Sequence, residues 1–593
     1  MNIERHIVHL LLKTLSISKD DYREKVVPIR PLSFDRVNEG KAPASDALLF
    51  TLPLEIIGQI LETLPRSSLS SLALVCRDCR QLARSRQFAS IELNYSDHSV
   101  ALIKKLLAEA NIRVGNQGVA NGISQSLGVC IRRITVATDP DLVAARHDIH
   151  LDDPAHALAP ALALNDRTTA KRMAKATKYF FDDYLPKLQL LWGSSIVLPN
   201  LESLDWRDNI ALPRSFFERL PLTPIQHLRL SCVKVEEEFE VGLPQSSRGW
   251  PLRTLYLEVA PSFNRAFDVG LPRTSFMCAS ILRLCASTLE SLTWRTLPLY
   301  EDHHSFATYK MESAPHFPRL RSLKLPNAGF SDYSMLDSLL EGDVREMEVD
   351  PGHDSLSSEF FEIRGTMRAL TTLVWDGRIK PDQSLKFLQA NSQLSKLSLQ
   401  WEASATLLET QLLPLLTKSF QQLTSLSLKW ESDTISGSAL EAVGSLQSLQ
   451  QLHLSAGCQH GWRHSWFIDH ELMRSRLRNL TSLKRIAFSR DVYANGVELF
   501  DPQRYYEDRM HSDIWHWGND DEWENWHRTR MLGQAQIYAT EMPELEWLYF
   551  GQLRMEVSRG LGSHGDITCV STLSDERDGC WTYLREMFGF KGT

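Results

Sequence analysis

A six-residue pattern, apolar-x-x-Leu-x-apolar, returns along this sequence and constrains its fold more than any other feature. Copies begin at Leu201, Ile225, Leu252, Leu289, Leu320, Leu370, Leu394, Leu423, Leu449, Leu483 and Leu545, with a weaker copy at Val344. Leucine makes up 88 of the 593 residues, so chance predicts about two or three copies of the stricter form Leu-x-x-Leu-x-apolar, whereas nine are present. Because alternate side chains of a strand point to opposite faces, each copy predicts a short strand with one apolar face.

The spacing of the copies indicates a repeat architecture. Eight of the eleven intervals lie between 24 and 31 residues. The pattern resembles the leucine-rich repeat family, whose units of about 20 to 29 residues each give one parallel strand and a returning segment. The family's Asn or Cys after the strand is matched only by Asn209, so we expect a divergent array. Two earlier hexapeptides, starting at Phe88 and Ile131, fit the looser pattern and are candidate first strands.

Residues 48–92 carry a second organised pattern, which predicts three short amphipathic helices. The apolar residues of the first helix recur at helical spacing: Leu52, Ile56, Ile57, Ile60, Leu61 and Leu64. Pro53 suits the first turn of that helix, and Pro65 ends it. Three helices in about 40 residues bury little surface by themselves, so part of this apolar stripe is expected to meet a partner.

This segment resembles the F-box motif. The resemblance is carried by Leu52-Pro-Leu-Glu55-Ile56, Ile60-Leu61, Leu64-Pro65, Leu69, Leu72 and Val75-Cys76-Arg77. It implies docking on the Skp adaptor, and through it on the cullin, of SCF-type ubiquitin ligases. The residues that it implies for the adaptor interface, or for the small core behind it, are Leu52, Pro53, Ile56, Ile60, Leu69, Leu72, Val75 and Cys76. The sequence does not separate these two roles, and the alternative is a helical hairpin that caps a larger domain.

The predicted strands also indicate a face for target binding. Its central row consists of Asp205, Arg229, Tyr256, Thr293, Lys324, Glu348, Val374, Ser398, Ser427, His453, Ala487 and Tyr549. Flanking positions are Arg207, Glu258, Arg295, Asp376, Lys396, Lys429 and Trp547. Both charges, aromatics and small residues suit a protein or peptide partner. The candidate target-binding residues are Arg207, Arg229, Tyr256, Lys324, His453, Trp547 and Tyr549, although for any one of them an ordinary solvated sheet face is the alternative.

The interval before the last repeat has the most unusual local composition. Residues 507–524 contain seven acids and one base, and tryptophans stand at 515, 517, 523 and 526. Tryptophans anchor interfaces, and an acidic surround favours basic partners. Trp515, Trp517 and Trp523 therefore join the candidate target-binding residues. The equally open alternative is that these tryptophans cover the end of the repeat core.

Patterns that would indicate an enzyme or a metal site are weak. Cys76-x-x-Cys79 has no second Cys or His pair at a finger-like distance, so a packing role is favoured. The segment Gly560–Gly565 fits Gly-x-Gly-x-x-Gly, but no helix pattern follows it. His460 and His464 have the spacing of one helical face, yet a glycine lies between them and no motif glutamate is present. We expect no catalytic residue, no metal and no cofactor.

Composition narrows the class of protein further. The formal net charge is −8 and no basic run occurs, which disfavours a nucleic-acid partner. Nine cysteines without regular spacing favour a reducing compartment, the cytoplasm or the nucleus. No stretch approaches about 18 apolar residues, so no membrane partner is expected. Residues 1–19 are expected to form an amphipathic helix.

We predict an α/β chain in which a short three-helix F-box precedes a curved leucine-rich-repeat solenoid with a parallel sheet. Its expected parts are an N-terminal extension and linker (1–47), the F-box (48–92), an irregular or helical connection with candidate first repeats (93–200), the repeat array (201–555) and a C-terminal tail or cap (556–593). The predicted function is non-catalytic recognition of an unknown target protein for an SCF-type ubiquitin ligase. The alternative is an interaction scaffold that binds the adaptor without causing degradation.

Overall fold

The computed structural model describes most of the chain. The described residues are 32–40, 42–45, 47–115, 126–138, 140–147, 171–172, 175–176, 178–193, 196–208, 212–235, 237–242, 249–261, 275–295, 314–326, 334–349, 361, 363–375, 381–400, 403–457, 459–460, 463–464, 466, 468–488, 520–550, 553–562 and 565–572. The chain divides into two compact units. The first comprises Met1–Leu320, Asp337–Gly342 and Thr593, and the second comprises Arg321–Leu336 and Asp343–Gly592.

The first unit begins with a helical region. Its elements are helix α1 (Phe34–Val37), the 3₁₀ turn Leu48–Thr51, α2 (Leu54–Thr63), α3 (Arg66–Val75) and α4 (Arg77–Gln87). Pro53 stands immediately before α2 and Pro65 immediately before α3, where the missing N–H of proline leaves no helical hydrogen bond unmade. The three helices predicted from the apolar spacing are confirmed.

A parallel sheet follows in the same unit. Its strands are β1 (Ser90–Leu93), β2 (Arg133–Val136), β3 (Ser203–Trp206), β4 (His227–Val235), β5 (Thr254–Pro261) and β6 (Ser291–Arg295), and each pairs in parallel with the next. The segments between them contain α5 (Asp97–Gly115), the 3₁₀ turn Gly128–Cys130, α6 (Pro140–Arg146), the π-helical turn Phe180–Tyr184, α7 (Leu185–Trp192), α8 (Arg214–Arg219), the 3₁₀ turn Leu220–Leu222 and α9 (Ser275–Cys285). The hexapeptides at Phe88 and Ile131 thus supply the first two strands.

The second unit is also built on parallel strands. They are β7 (Ser322–Leu325), β8 (Glu346–Val349), β9 (Thr372–Trp375), β10 (Lys396–Leu399), β11 (Ser425–Lys429), β12 (Gln451–Ser455), β15 (Arg485–Phe488) and β16 (Trp547–Phe550). Strands β17 (Leu553–Gly562) and β18 (Gly565–Thr572) extend this sheet in antiparallel fashion. A separate two-stranded ribbon consists of β13 (Gln459–His460) and β14 (Arg463–His464).

Helices return the chain between these strands. They are α10 (Ser334–Leu340), α11 (Pro381–Ala390), α12 (Ala405–Leu407), the π-helical turn Leu408–Leu412, α13 (Leu413–Ser419), α14 (Gly437–Gly444), α15 (His470–Leu477) and α16 (Asp520–Glu541). Ser404, Ser436 and Asp469 each cap a helix by accepting a hydrogen bond from a backbone N–H of its first turn. Parallel strands need such crossovers, so these helices agree with the returning segments that the repeat pattern predicts.

Leucines of the repeats form the core of each sheet. In the first unit Leu204, Leu228, Leu255 and Leu292 share one register and are buried. In the second unit the corresponding register contains Leu323, Met347, Leu373, Leu397, Leu426, Leu452, Ile486 and Leu548, all fully buried. The predicted α/β class, a short three-helix region followed by long, predominantly parallel sheets, is confirmed.

One part of the predicted linker is instead part of the core. Leu32, Phe34 and Val37 are buried in one cluster with Ile57 and other residues of the F-box helices. Residues 28–47 mix Pro, Gly, Ser and charged residues, a composition typical of a linker. Phe34 and Val37 are the two apolar side chains of a four-residue helix, and two are too few to show a helical period. The helix predicted within residues 1–19 lies outside the described residues.

Candidate protein-interaction surfaces

Helix α2 has one face in the core and one face in solvent. Ile57 and Leu61 are each 2% exposed and pack with Leu82 of α4, whereas Ile56 is 40% exposed and Ile60 is 36% exposed. The apolar stripe read from the sequence is therefore wider than the core that it can bury. The outer edge of that stripe is exposed, which is typical of a surface that binds another molecule.

Further apolar side chains of the F-box region are exposed. Leu74 is 82% exposed and Val75 is 71% exposed at the end of α3. The complete set of large exposed apolar residues in this region is Leu48, Leu52, Leu54, Ile56, Ile60, Leu74 and Val75. Single exposed apolar residues are ordinary on proteins, but seven within 28 residues of one small helical region are typical of a surface that a partner covers.

The eight residues that the F-box resemblance implies differ in their exposure to solvent. Leu52, Pro53, Ile56, Ile60 and Val75 are exposed, while Leu72 and Cys76 are partly buried. Leu69 is buried in the core cluster, so its place is behind the surface. Leu48, Leu54 and Leu74, which the sequence did not single out, are exposed as well. A signal was available for Leu74, because its spacing of five residues from the buried Leu69 places it on another face of α3.

The segment before the F-box is held against α4 by buried polar groups. The carboxylate of Asp78 accepts hydrogen bonds from the backbone N–H of Ala44 (2.7 Å) and of Ser45 (3.0 Å). The side-chain amide of Gln81 donates to the carbonyl oxygens of Val37 and Ser126, each at 3.1 Å. Both side chains are buried, so these bonds satisfy groups that would otherwise be costly to bury. The F-box helices and residues 32–45 thus pack as one structural element.

The outward row predicted from sequence lies in one register in each unit. Asp205, Arg229, Tyr256 and Thr293 are direct neighbours on β3 to β6. In the second unit the row is Lys324, Glu348, Val374, Ser398, Ser427, His453, Ala487 and Tyr549. Of the flanking positions, Asp376 lies outside the described residues.

In the first unit this row forms a network of charged and aromatic groups. The guanidinium of Arg207 donates to Asp205 at 2.6 and 2.9 Å, and Arg229 approaches the same carboxylate at 3.8 Å. The guanidinium carbon of Arg229 lies 4.2 Å from the centre of the Tyr256 ring, a cation–π contact.

The network continues on β5 and β6. The Tyr256 hydroxyl lies 3.4 Å from Glu258, which pairs with Arg295 at 3.7 Å. Burial raises the pKa of the Tyr256 hydroxyl above its usual value, so this side chain stays neutral and serves as donor and apolar platform. These partly exposed arginines and the tyrosine present the donors and the flat apolar surface that protein interfaces use.

In the second unit the same row is largely buried, which corrects part of the prediction. Val374, Ser398, Ser427, His453, Trp547 and Tyr549 are all buried. His453 Nδ1 and Ser427 Oγ are 2.8 Å apart, and burial, with a smaller effect from Lys429, lowers the pKa of His453 to about 3. His453, Trp547 and Tyr549 are therefore not exposed contact residues. Alternation along a strand predicts the face of a side chain, but not what else packs on that face.

Lys324 remains partly exposed in the outward row of the second unit. Of the acidic segment, Trp515 and Trp517 lie outside the described residues. Trp523 falls within α16, but its side chain does not belong to the described part. Target binding and cover of the end of the repeat core therefore both stay predictions for these tryptophans.

The weaker motifs fall on elements unlike those that their chemistry needs. Residues 560–562 end β17 and Gly565 begins β18, two strands that pair in antiparallel fashion, and no helix follows β18 among the described residues. His460 and His464 lie on the antiparallel ribbon β13–β14 rather than on one helix. Across the described ranges, no three His, Cys, Asp or Glu side chains are grouped so that they could bind a metal ion. Within those ranges no helix combines the length and apolar character that a membrane crossing requires.

Residues 49–90 match the family model of the F-box domain. The match covers the helices α2 to α4 and six of the seven exposed apolar residues described above, all except Leu48. F-box domains in general bind the Skp adaptor and serve SCF-type ubiquitin ligases, and this chain contains such a domain. No curated protein matches the chain.

Proposed function

We propose that this protein is a substrate receptor of an SCF-type ubiquitin ligase. The observation that carries the proposal is that six exposed apolar side chains, those of Leu52, Leu54, Ile56, Ile60, Leu74 and Val75, lie within the residues that match the F-box. Burying such side chains against the adaptor would contribute about 25 cal/mol for each Å² of apolar surface removed from water. The exposed face of α2 and the end of α3 would form the centre of that contact.

The sheets would bind the target protein. The divergent hexapeptide repeats and their parallel strands support a leucine-rich-repeat array, and such arrays bind partners on their strand face. Arg207, Arg229 and Tyr256 lie on that face in the first unit and are partly exposed. They are the residues we propose for target contact there, with Lys324 in the second unit.

The receptor would be non-catalytic and would act in the cytoplasm or the nucleus, where thiols stay reduced. Holding the target beside the ubiquitin-charged enzyme raises the effective concentration of target lysines, so no catalytic group of the receptor is required.

Recovery of the adaptor and of cullin with the tagged full-length chain tests the docking half of the proposal. Leu52→Asp combined with Pro53→Ala alters two exposed residues and should remove cullin recovery while expression is unchanged. Undiminished recovery would reject the proposed docking surface. A target that accumulates when the protein is deleted supports the degradative role, whereas unchanged target levels with altered location support a scaffold.

A further inference from the structure

The Cys76-x-x-Cys79 pair has a local geometry that its sequence pattern does not reveal. Cys76 is the residue immediately before helix α4 and has extended backbone angles, φ −155° and ψ 178°. Its Sγ accepts a hydrogen bond from the backbone N–H of Cys79 at 3.3 Å. The sulfur of Cys76 thus caps the N-terminus of an eleven-residue helix.

Several donors surround this sulfur. The pKa of the Cys76 thiol is lowered from its usual value, first by the backbone N–H of Cys79 and further by the Cys79 thiol, the backbone of Asp78 and the hydroxyl of Ser45, against a desolvation cost. The partial positive charge at a helix N-terminus acts in the same direction. Cys76 is partly exposed, so a small molecule can reach it.

Cys79 has the opposite character. It is 3% exposed, and burial, together with the neighbouring Cys76 sulfur, raises the pKa of its thiol to about 11. One partly exposed thiol with a lowered pKa therefore lies against one buried thiol with a raised pKa. A reactive cysteine and a resolving cysteine differ from each other in this way.

We propose that Cys76 and Cys79 form a redox-modification site, in which hydrogen peroxide oxidises Cys76 and Cys79 then closes an intramolecular disulfide. In the first step the Cys76 thiolate attacks one oxygen of the peroxide, an S–O bond forms, the O–O bond breaks, and hydroxide leaves. Cys76 becomes a sulfenic acid. In the second step the Cys79 sulfur attacks the Cys76 sulfur, the S–O bond breaks, and the departing hydroxide takes the Cys79 proton as water. Two thiols are oxidised, one peroxide is reduced to two waters, and a dithiol reductant reverses the change.

A zinc role for this pair is disfavoured, since the described residues place no third ligand beside it. Other described cysteines offer a comparison within the same molecule. Cys130, Cys278 and Cys285 are buried, whereas Cys569 is exposed on β18. Exposure alone would make Cys569 the most reactive of these thiols. The hydrogen-bond donors around Cys76 predict instead that Cys76 is oxidised faster than Cys569.

The site adjoins the proposed docking surface, because Leu74 and Val75 immediately precede Cys76. The disulfide chemistry does not depend on the adaptor. Protection of Cys76 by bound adaptor rests on the proposed function.

Treatment of the purified full-length chain with limiting hydrogen peroxide, followed by alkylation and peptide mapping, tests the proposal. We expect a peptide in which residues 76 and 79 have together lost two hydrogen atoms, restored by reductant, with Cys76 consumed about tenfold faster than Cys569. In Cys79→Ser the sulfenic acid should persist and be trapped by a cyclic dione reagent. In Cys76→Ser, where serine keeps the helix cap, residue 79 should stay reduced.

Oxidation of Cys76 no faster than that of Cys569, or a disulfide from Cys76 to another cysteine, would overturn the proposal. Oxidation of Cys79 in the Cys76→Ser variant would overturn it as well. Circular dichroism of both variants verifies that they are folded. A parallel reaction with the Skp adaptor in excess should slow the loss of Cys76. If the adaptor fails to bind at all, the docking proposal fails while the disulfide result still stands.

Discussion

The carboxylate of Asp78, in the first turn of helix α4, accepts a 2.7 Å hydrogen bond from the backbone N–H of Ala44. The same carboxylate also accepts from Ser45. One buried side chain thereby joins the F-box to a segment whose composition is that of a linker. The helices of the F-box consequently pack with residues that precede the matched segment.

Replacing Asp78 by Ala should release residues 42–45 from α4. The variant leaves two backbone N–H groups without their acceptor, which costs about 1–3 kcal/mol. Hydrogen exchange of the peptide containing Ala44 and Ser45 should accelerate, while exchange in strand β5 should not. Glu62→Ala, at an exposed carboxylate on α2, is the matched control and should leave both unchanged. Unaltered exchange at 44–45 in Asp78→Ala would contradict this account of the segment.

Asp208 should make the stability of the first unit fall as the pH rises. Its buried carboxylate accepts from the backbone N–H of Thr138 at 2.5 Å and from the Thr138 hydroxyl at 2.6 Å. Burial nevertheless raises its pKa from 3.8 to about 6, so the folded state holds the proton more tightly than the unfolded state. The stabilising contribution is therefore present below the unfolded pKa and is lost as the pH passes through about 6. At neutral pH the loss is on the order of 2–3 kcal/mol.

Asp208→Asn keeps an acceptor for Thr138 and removes the titration. Relative to the parent protein, the variant should gain thermal stability at pH about 8 and lose that advantage at pH about 5. Unfolding midpoints of both proteins at the two pH values measure this difference. A constant difference across the range would show that Asp208 does not titrate as described.

His453 should make the second unit sensitive to acid. Its folded-state pKa of about 3 lies below the ordinary 6.5, mainly because the ring is buried. The neutral ring is thus favoured on folding, and its stabilising contribution is present above pH 6.5 and is lost as the pH falls toward 3. Each pH unit in that window costs about 1.4 kcal/mol.

His453→Gln removes this titration and should flatten the decline in unfolding midpoint between neutral pH and pH about 4.5. His316→Gln alters an exposed histidine and should leave the decline as steep as in the parent protein. If the unfolding midpoint declines equally steeply with falling pH in the parent and His453→Gln proteins, His453 is not the cause of the acid sensitivity.

Sequence periodicity predicts the strands well because each leucine of a hexapeptide has only one stable place, the buried face of its strand. The outward row from Asp205 to Thr293 follows directly from that alternation and is found in register. The burial of His453 could not be predicted, since a period of two says nothing about what packs on the other face. The F-box resemblance likewise grouped Ile56 with Leu69, and only the packing of three helices separates the exposed residue from the buried one.

The central claim, docking through the exposed face of the F-box helices, is tested most directly by the affinity of the full-length chain for the purified Skp adaptor. Ile56→Asp with Ile60→Asp changes two exposed residues of α2. Ile112→Asp with Val114→Asp is the matched control on α5, since these side chains are 58% and 54% exposed.

We predict that the α2 double variant loses about 2 kcal/mol or more of binding free energy, roughly thirtyfold in Kd. The α5 double variant should bind the adaptor as the parent protein does. Equal Kd values for the parent protein and the α2 variant, with both folded, would contradict the account.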